Sequence, residues 1–240
     1  MANTRQIPWR RTMVESVAII LSILLAFAID AGWDAIKERN QERAFLVSLL
    51  SDFKETRSRI DESTDAHMGF IDSARQLLGF HGGDTPNIEP EVLEEMLSAV
   101  FFNWQSLYLP SGSRDALFAS GNIEIIGNEN LRAMLAAWSS VVADAAEDDI
   151  LISNDVMNNL APYLQRKIRT RNVVRITNSD AAELIPHIES VNYDALWNDP
   201  LFENLVTFRI VNETFAVDEN ERLSEAADEI IGVIEKELDR

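Results

Sequence analysis

A long run without charge near the N-terminus constrains this chain more than any other feature. Val17 to Ile29 carries no charged residue and a single polar one, Ser22, whereas the chain that follows is strongly polar. A helix over 13–33 is about 30 Å long at about 1.5 Å per residue, which matches the hydrocarbon core of a bilayer. The run therefore predicts one membrane-spanning helix.

The residues beside the run suit a membrane boundary. Glu15 and Asp30 lie within a turn of its ends, where a carboxylate reaches the interface instead of the midplane. Trp9 and Trp33 flank the run at the depth that indole rings prefer. The residues that we expect to form the anchor are Val17, Ile20, Leu24, Phe27, Asp30 and Trp33.

Two other interpretations compete with the anchor. A buried core helix of a soluble protein also gives an apolar run, although the sharply polar chain that follows fits this poorly. A cleaved signal peptide has a basic start, here Arg10 and Arg11, and a cleavage site of small residues, here 26–28. We expect an uncleaved anchor.

Charge sets the expected orientation. The short N-terminal tail contains basic residues and no acid, and short basic tails cross membranes poorly, whereas long domains cross largely regardless of charge. We therefore expect a bacterial inner-membrane anchor with the N-terminus in the cytoplasm and the C-terminal domain in the periplasm. The expected segments are a basic tail over 1–12, the membrane helix over 13–33, a stalk helix over 34–83 and an acidic helical domain over 84–240.

The rest of the chain predicts an all-α bundle. Residues 35–80 contain no proline, and a second long helix, from Pro200 to Leu238, is long enough to return antiparallel along the stalk. The stalk pattern has interruptions at Arg57, Thr64 and His67. Its apolar residues, near a 3.5-residue spacing, are Leu46, Leu50, Phe53, Ile60, Ile71, Ala74 and Leu78.

Shorter helices are predicted between the two long ones. Ser113 is placed to cap a short helix that ends at Gly121, and Asn128 to cap a longer one that Pro162 kinks or breaks. A further helix begins at Pro90. Its expected buried residues are Val92, Leu93, Met96, Leu97, Val100 and Phe101.

One stretch resembles a strand. The sequence RNVVRIT at 171–177 is rich in β-branched residues, and NIEII at 122–126 is its candidate partner. A lone pair of strands is marginally stable unless it packs on helices. We therefore expect a minor short β pairing at most.

The acidic balance of the chain limits its partners. Its formal net charge of −19 makes nucleic-acid binding unfavourable, because phosphates are neutralised by clustered lysine and arginine. Such a surface suits a basic partner. The absence of cysteine excludes disulfides and thiolate metal ligands.

No catalytic or metal-binding pattern is recognisable in the sequence. The histidines His67, His81 and His187 lie far apart without the spacings of a zinc site, so we expect surface or ordinary packing roles. The densest acidic cluster lacks the glycine of a calcium-binding loop, so we interpret it as a solvated helix face, with a weak divalent-cation site as the alternative. Its members are Asp144, Glu147, Asp148, Asp149 and Asp155. We expect no cofactor.

The segment SRDALFASGNIEIIGNENLRAMLAAW, 113–138, resembles a widespread bacterial family of membrane-anchored helical proteins without an established function. The similarity covers roughly 13–60 and 105–145, with a weaker similarity near 202–223. It implies a membrane location and a helical fold, and it brings no catalytic residue. The matching residues are Glu15, Ser16, Ala28, Ile29, Asp30, Trp33, Leu117, Ser120, Gly121, Ile126, Asn128, Leu131 and Arg132.

Arg132 is the unusual member of this segment. A basic residue near a helix start is disfavoured by the helix dipole, so we expect it to have a fixed acidic or carbonyl partner. A ligand-binding arginine is the alternative interpretation.

Three functional hypotheses follow from the sequence. The leading one is a non-enzymatic single-pass membrane protein that binds other membrane-protein subunits, or itself, as an accessory or scaffold subunit. The alternative is a helical bundle that senses a small ligand through Arg132. The second alternative is an enzyme of unrecognised type.

Overall fold

Every regular element is helical within residues 9–80, 88–177 and 179–240, the ranges that this computed structural model describes. The prediction of an all-α fold is confirmed. The elements are α1 (Trp9–Gly79), α2 (Pro90–Phe101), α3 (Gly112–Ala119), a 3₁₀-helix (Asn122–Ile125), α4 (Glu129–Asp155), a π-helix (Val156–Leu160), α5 (Ala161–Lys167), α6 (Arg171–Thr177), α7 (Ser179–Leu184), α8 (Asp194–Trp197) and α9 (Pro200–Leu238).

The two long helices, α1 and α9, run antiparallel, as the sequence predicts. Arg43 Nη1 donates a hydrogen bond to the carbonyl of Leu238 at 2.8 Å, which joins the middle of α1 to the C-terminal end of α9. Further along, Asn220 Nδ2 donates to Ser63 Oγ at 3.1 Å. The residue numbers rise on α1 as they fall on α9.

Buried positions alternate at four- and three-residue spacings along α9 and along α1 from Leu46 to His67, which is the pattern of a coiled coil. The prediction included Leu50 and Leu78, but their neighbours Leu49 and Leu77 are the buried ones. Adjacent leucines fit an average spacing of 3.5 equally well, so hydropathy did not distinguish them. The buried residues of α9 are Phe202, Val206, Arg209, Glu213, Ala216, Asn220, Leu223, Ala227, Ile230 and Ile234.

The apolar interior is divided into two cores. The proximal core, next to the apolar run of α1, packs Phe53 against Trp138 with ring centroids 5.1 Å apart. The distal core, at the other end, stacks Phe101 on Phe202 with centroids 5.6 Å apart. Where the two cores adjoin, α1 and α9 bury five polar residues: Ser63, His67, Arg209, Glu213 and Asn220.

No β pairing forms within the described residues, so the strand interpretation of 171–177 and 122–126 is wrong. Residues 171–177 form α6, and most of NIEII forms the 3₁₀-helix Asn122–Ile125. Val173 packs into the distal core, and Asn172 Oδ1 accepts a hydrogen bond from the backbone of Ile188 at 2.9 Å. This tertiary packing overrides the local β propensity.

Three smaller predictions are corrected or refined. Val92 is exposed, although the other residues of the predicted buried face of α2 are buried or nearly so. Ser113 does not cap α3, because the helix begins one residue earlier, at Gly112, and the backbone N–H of Ser113 donates to Asp52 Oδ2 at 2.8 Å. Pro162 lies in the first turn of α5. The π-helix Val156–Leu160 directly precedes α5, so the chain changes its helical pitch before Pro162 and stays helical.

The apolar part of α1 projects away from the bundle. This stretch is long and apolar enough to cross a membrane, and none of it is buried inside the structure. Val17, Ile20, Leu24, Phe27 and Trp33 are all exposed. This exposure contradicts the interpretation as a buried core helix. A signal sequence is equally apolar, so that interpretation stays open.

Candidate functional site

A group of buried charged residues lies between the two cores, and we call it the charged layer. It consists of His67 on α1, Asp149 on α4, and Arg209 and Glu213 on α9. His67, Arg209 and Glu213 are fully buried, and Asp149 is nearly so. The two α9 residues occupy coiled-coil positions that are usually apolar.

The imidazole of His67 lies between two carboxylates. Its Nδ1 is hydrogen-bonded to Glu213 Oε2, and its Nε2 is 3.6 Å from Asp149 Oδ1. Glu213 also holds Arg209, whose Nη2 lies 2.7 Å from Glu213 Oε1. Glu213 therefore contacts both basic side chains, and Asp149 contacts His67. Such pairing lowers the cost of burying charge.

This environment sets the protonation of His67. Burial by itself lowers the pKa of the imidazole, but the two flanking carboxylates, Asp149 and Glu213, outweigh it and raise the pKa to about 9. Burial lowers the pKa of Arg209, and the charges of Glu213 and Asp155 partly offset that effect. At neutral pH the layer thus contains an imidazolium held by carboxylates.

The charged layer also fastens the connection between α2 and α3. Arg209 Nη2 donates to the carbonyl of Asn103 at 2.8 Å, and Asp149 Oδ2 accepts from the backbone N–H of Leu107 at 2.8 Å. The ring of Phe70 lies under the guanidinium of Arg209, 5.2 Å away. One cluster therefore joins α1, α4, α9 and this loop.

Comparisons of the chain with protein-family models, curated proteins and solved structures find no match. The resemblance to a bacterial membrane-anchored family therefore stays a prediction.

The residues that the sequence singled out lie away from the charged layer, around the 3₁₀-helix. Gly121 has a φ of +70°, the left-handed conformation that favours glycine. Asn128 Oδ1 accepts from the backbone of Leu131 at 3.0 Å and caps α4, and its Nδ2 donates to Glu237 at 2.6 Å. Ser120 Oγ donates to the carbonyl of Leu117 at 3.1 Å.

Arg132 is held within the same segment. Its Nη1 donates to the carbonyl of Ile126, and its Nη2 lies 3.8 Å from Glu129. The guanidinium is about a quarter exposed. A carbonyl oxygen is thus its main partner.

A second buried polar cluster secures the distal end. Glu94 on α2 accepts from Tyr193 Oη at 2.5 Å and from Asn172 Nδ2 at 2.8 Å. Burial raises the pKa of Tyr193, which keeps its hydroxyl a neutral donor. His187 Nε2 lies 3.1 Å from Asn172 Nδ2. These contacts position α6 and the segment before α8.

Of the two roles expected for His67, surface or packing, the buried imidazole has the packing one. The solvated role expected for Asp149 is wrong, because a polar residue at a core position looks like a break in the apolar pattern. The exposed His187 fits its prediction, and His81 lies outside the described residues. Within those residues, no group of three or more histidine or acidic side chains is arranged to hold a metal ion.

Proposed function

We propose that this chain is a single-pass membrane protein whose helical bundle binds other proteins as an accessory or scaffold subunit. The observation that carries the proposal is the continuity of α1 from Trp9 to Gly79. The exposed apolar run and the buried residues of α1 that pack on α9 therefore belong to one helix. A membrane anchor would then hold the bundle directly, without a hinge.

The exposed apolar run needs a partner, and lipid fits it. Its exposed side chains surround the helix on all sides, which suits hydrocarbon better than a single protein contact. In the proposed arrangement the anchor lies in a bacterial inner membrane, with the N-terminus in the cytoplasm and the bundle in the periplasm. The basic N-terminal tail supports this orientation.

A second apolar stripe supports the protein-binding role. Leu201, Phe208 and Phe215 recur every seven residues on α9 and are 49%, 56% and 57% exposed. This spacing places them on one face, away from the residues that pack on α1. An exposed stripe with coiled-coil spacing is typical of a surface that packs on another helix.

Purification in a mild detergent tests the proposal. We expect the full chain to copurify with a membrane-protein partner or as an oligomer, and the variant Phe208→Ser/Phe215→Ser to lose that association. Leu184→Ser, at a still more exposed leucine on α7, is the control and should retain it. A partner-free monomer after cross-linking in native membranes would contradict the proposal.

A further inference from the structure

A concentrated basic segment lies within this acidic chain. The whole chain has 40 acidic and 21 basic residues, yet residues 163–177 contain five basic residues and no acid. We call this segment the basic tip. Its basic residues are Arg166, Lys167, Arg169, Arg171 and Arg175.

The basic tip lies at the end of the bundle opposite the apolar run. Lys167 Nζ is 2.7 Å from Asp199 Oδ2, and Asp199 caps the first turn of α9. Because α9 runs antiparallel to α1, its start lies level with the end of α1 near Gly79. From Trp33 to that level α1 rises about 70 Å.

Two of the basic side chains are already used. Lys167 pairs with Asp199, and Arg175 Nη2 donates to the carbonyl of Ala182 at 3.1 Å. Arg166, Arg169 and Arg171 are exposed, and none of them forms a hydrogen bond or ion pair with another residue of the described ranges. Three guanidinium groups are therefore available to an outside partner.

An open groove lies beside these arginines. Arg166 and Arg169 line it together with residues 190–192, which precede α8. Its volume is about 450 Å³, which falls in the size range of sites for small ligands and short segments. The groove thus combines charged groups with polar and apolar ones.

We propose that the basic tip binds a short acidic segment, rich in Asp and Glu, of a partner protein. The inference deepens the proposed function, on which it rests, by naming a surface and a partner chemistry. Guanidinium groups bind carboxylates through paired hydrogen bonds, which gives both charge and geometric complementarity. Arginine is also enriched among the residues that dominate protein interfaces.

Two other polyanions fit less well. The lipid of the proposed anchor is about 70 Å away, far beyond a Debye length of about 10 Å at 0.1 M salt. A nucleic acid carries continuous charge along its length, and beyond the tip it would meet the surface of a chain with a net charge of −19. A short acidic segment ends before it meets that repulsion.

The experiment uses the full chain in nanodiscs of neutral phosphatidylcholine and measures fluorescence anisotropy of a labelled decaglutamate peptide at about 0.1 M salt. The test variant is Arg166→Gln/Arg169→Gln/Arg171→Gln. The matched control is Lys54→Gln/Arg59→Gln/Arg222→Gln, which removes the same charge from residues that pair with Glu235, Glu55 and Glu219. We expect about tenfold weaker binding for the test variant only.

Several outcomes would overturn the inference. Failure of the unmodified chain to bind decaglutamate, or equal weakening in both variants, would show that the tip has no specific role. Tip-dependent binding of oligothymidine that is tighter than that of decaglutamate would assign the site to nucleic acid. Tip-dependent dimers in sedimentation would assign it to a second copy. Copurification of partners through Phe208 and Phe215 is measured separately, so the proposed function can survive any of these results.

Discussion

His67 on α1 and Glu213 on α9 are hydrogen-bonded through Nδ1 and Oε2 inside the bundle, and neither side chain is exposed to solvent. An apolar pair at this position would avoid the cost of burying two charges. We infer that the pair instead specifies the alignment of the two helices, because a slip by one heptad would leave each charge buried and unpaired.

The stability of the bundle should fall as the pH rises from about 6.5 to about 9. The folded pKa of His67 is raised to about 9 from 6.5, so its contribution is complete below the unfolded value and is lost as the pH passes the folded value. The shift corresponds to about 3 kcal/mol of unfolding free energy. Urea unfolding at a series of pH values measures it.

His67→Gln is the control for this pH dependence. Glutamine keeps a hydrogen-bonding side chain but does not titrate, so the variant should be less stable at pH 7 and nearly insensitive to pH across the same window. Equal slopes for the variant and the unmodified chain would show that another group causes the loss.

Removing the charge of Glu213 should destabilise the bundle strongly. Glu213→Gln leaves the imidazolium of His67 and the guanidinium of Arg209 without their shared counter-charge. We expect a loss of about 3 kcal/mol, as for other buried pairs that lose one partner. Glu225→Gln, at an exposed position of α9, should change stability by less than about 0.5 kcal/mol. Similar losses in the two variants would contradict a specific role for the layer.

Two glycine-to-alanine substitutions should have opposite effects. Gly121→Ala forces a side chain into the left-handed conformation at φ +70° and should cost about 1 kcal/mol. Gly69→Ala lies inside α1, where an added Cβ meets no atom within 4 Å, and should stabilise by about 0.5–1 kcal/mol. Thermal unfolding measured side by side distinguishes them. A stabilising effect at Gly121 would be inconsistent with its backbone conformation.

The long helices were predictable because their periodic pattern repeats over many turns, which averages out local exceptions. The charged layer was not predictable, because a search for apolar periodicity counts each polar core residue as an interruption. Arg209 and Glu213 do share the four- and three-residue spacing of Val206 and Ala216. Position along the repeat, rather than residue type, was the signal that could have found them.

The helix α6 was missed for a different reason. Val173, Val174 and Ile176 favour strands as isolated residues, and the sequence shows no contact that competes with this preference. In the structure, Val173 packs in the distal core, and the backbone N–H of Ile188 donates a hydrogen bond to Asn172 Oδ1. Such long-range contacts decide the conformation of a short segment, and they cannot be inferred from its local pattern.

Membrane attachment should depend on the apolar run and not on exposed apolar residues elsewhere. Ile20→Arg/Leu24→Arg places two charges, which persist at alkaline pH, at the centre of the proposed span, at about 2.5–3.5 kcal/mol each, and should release the chain from membranes during alkaline carbonate extraction. Val47→Arg, at an exposed position of the stalk, should leave it in the pellet. Cleavage after residue 28, detected by intact mass, would instead favour a signal peptide.

The orientation of the chain can be tested because it contains no cysteine. A single cysteine introduced at Glu221, on an exposed position of α9, should react with a membrane-impermeant maleimide in intact spheroplasts. One introduced at Thr4, in the basic tail, should react only after the membrane is permeabilised, because that tail is expected to stay in the cytoplasm. The reverse labelling pattern would place the bundle in the cytoplasm, while labelling of both positions in intact spheroplasts would contradict a single span.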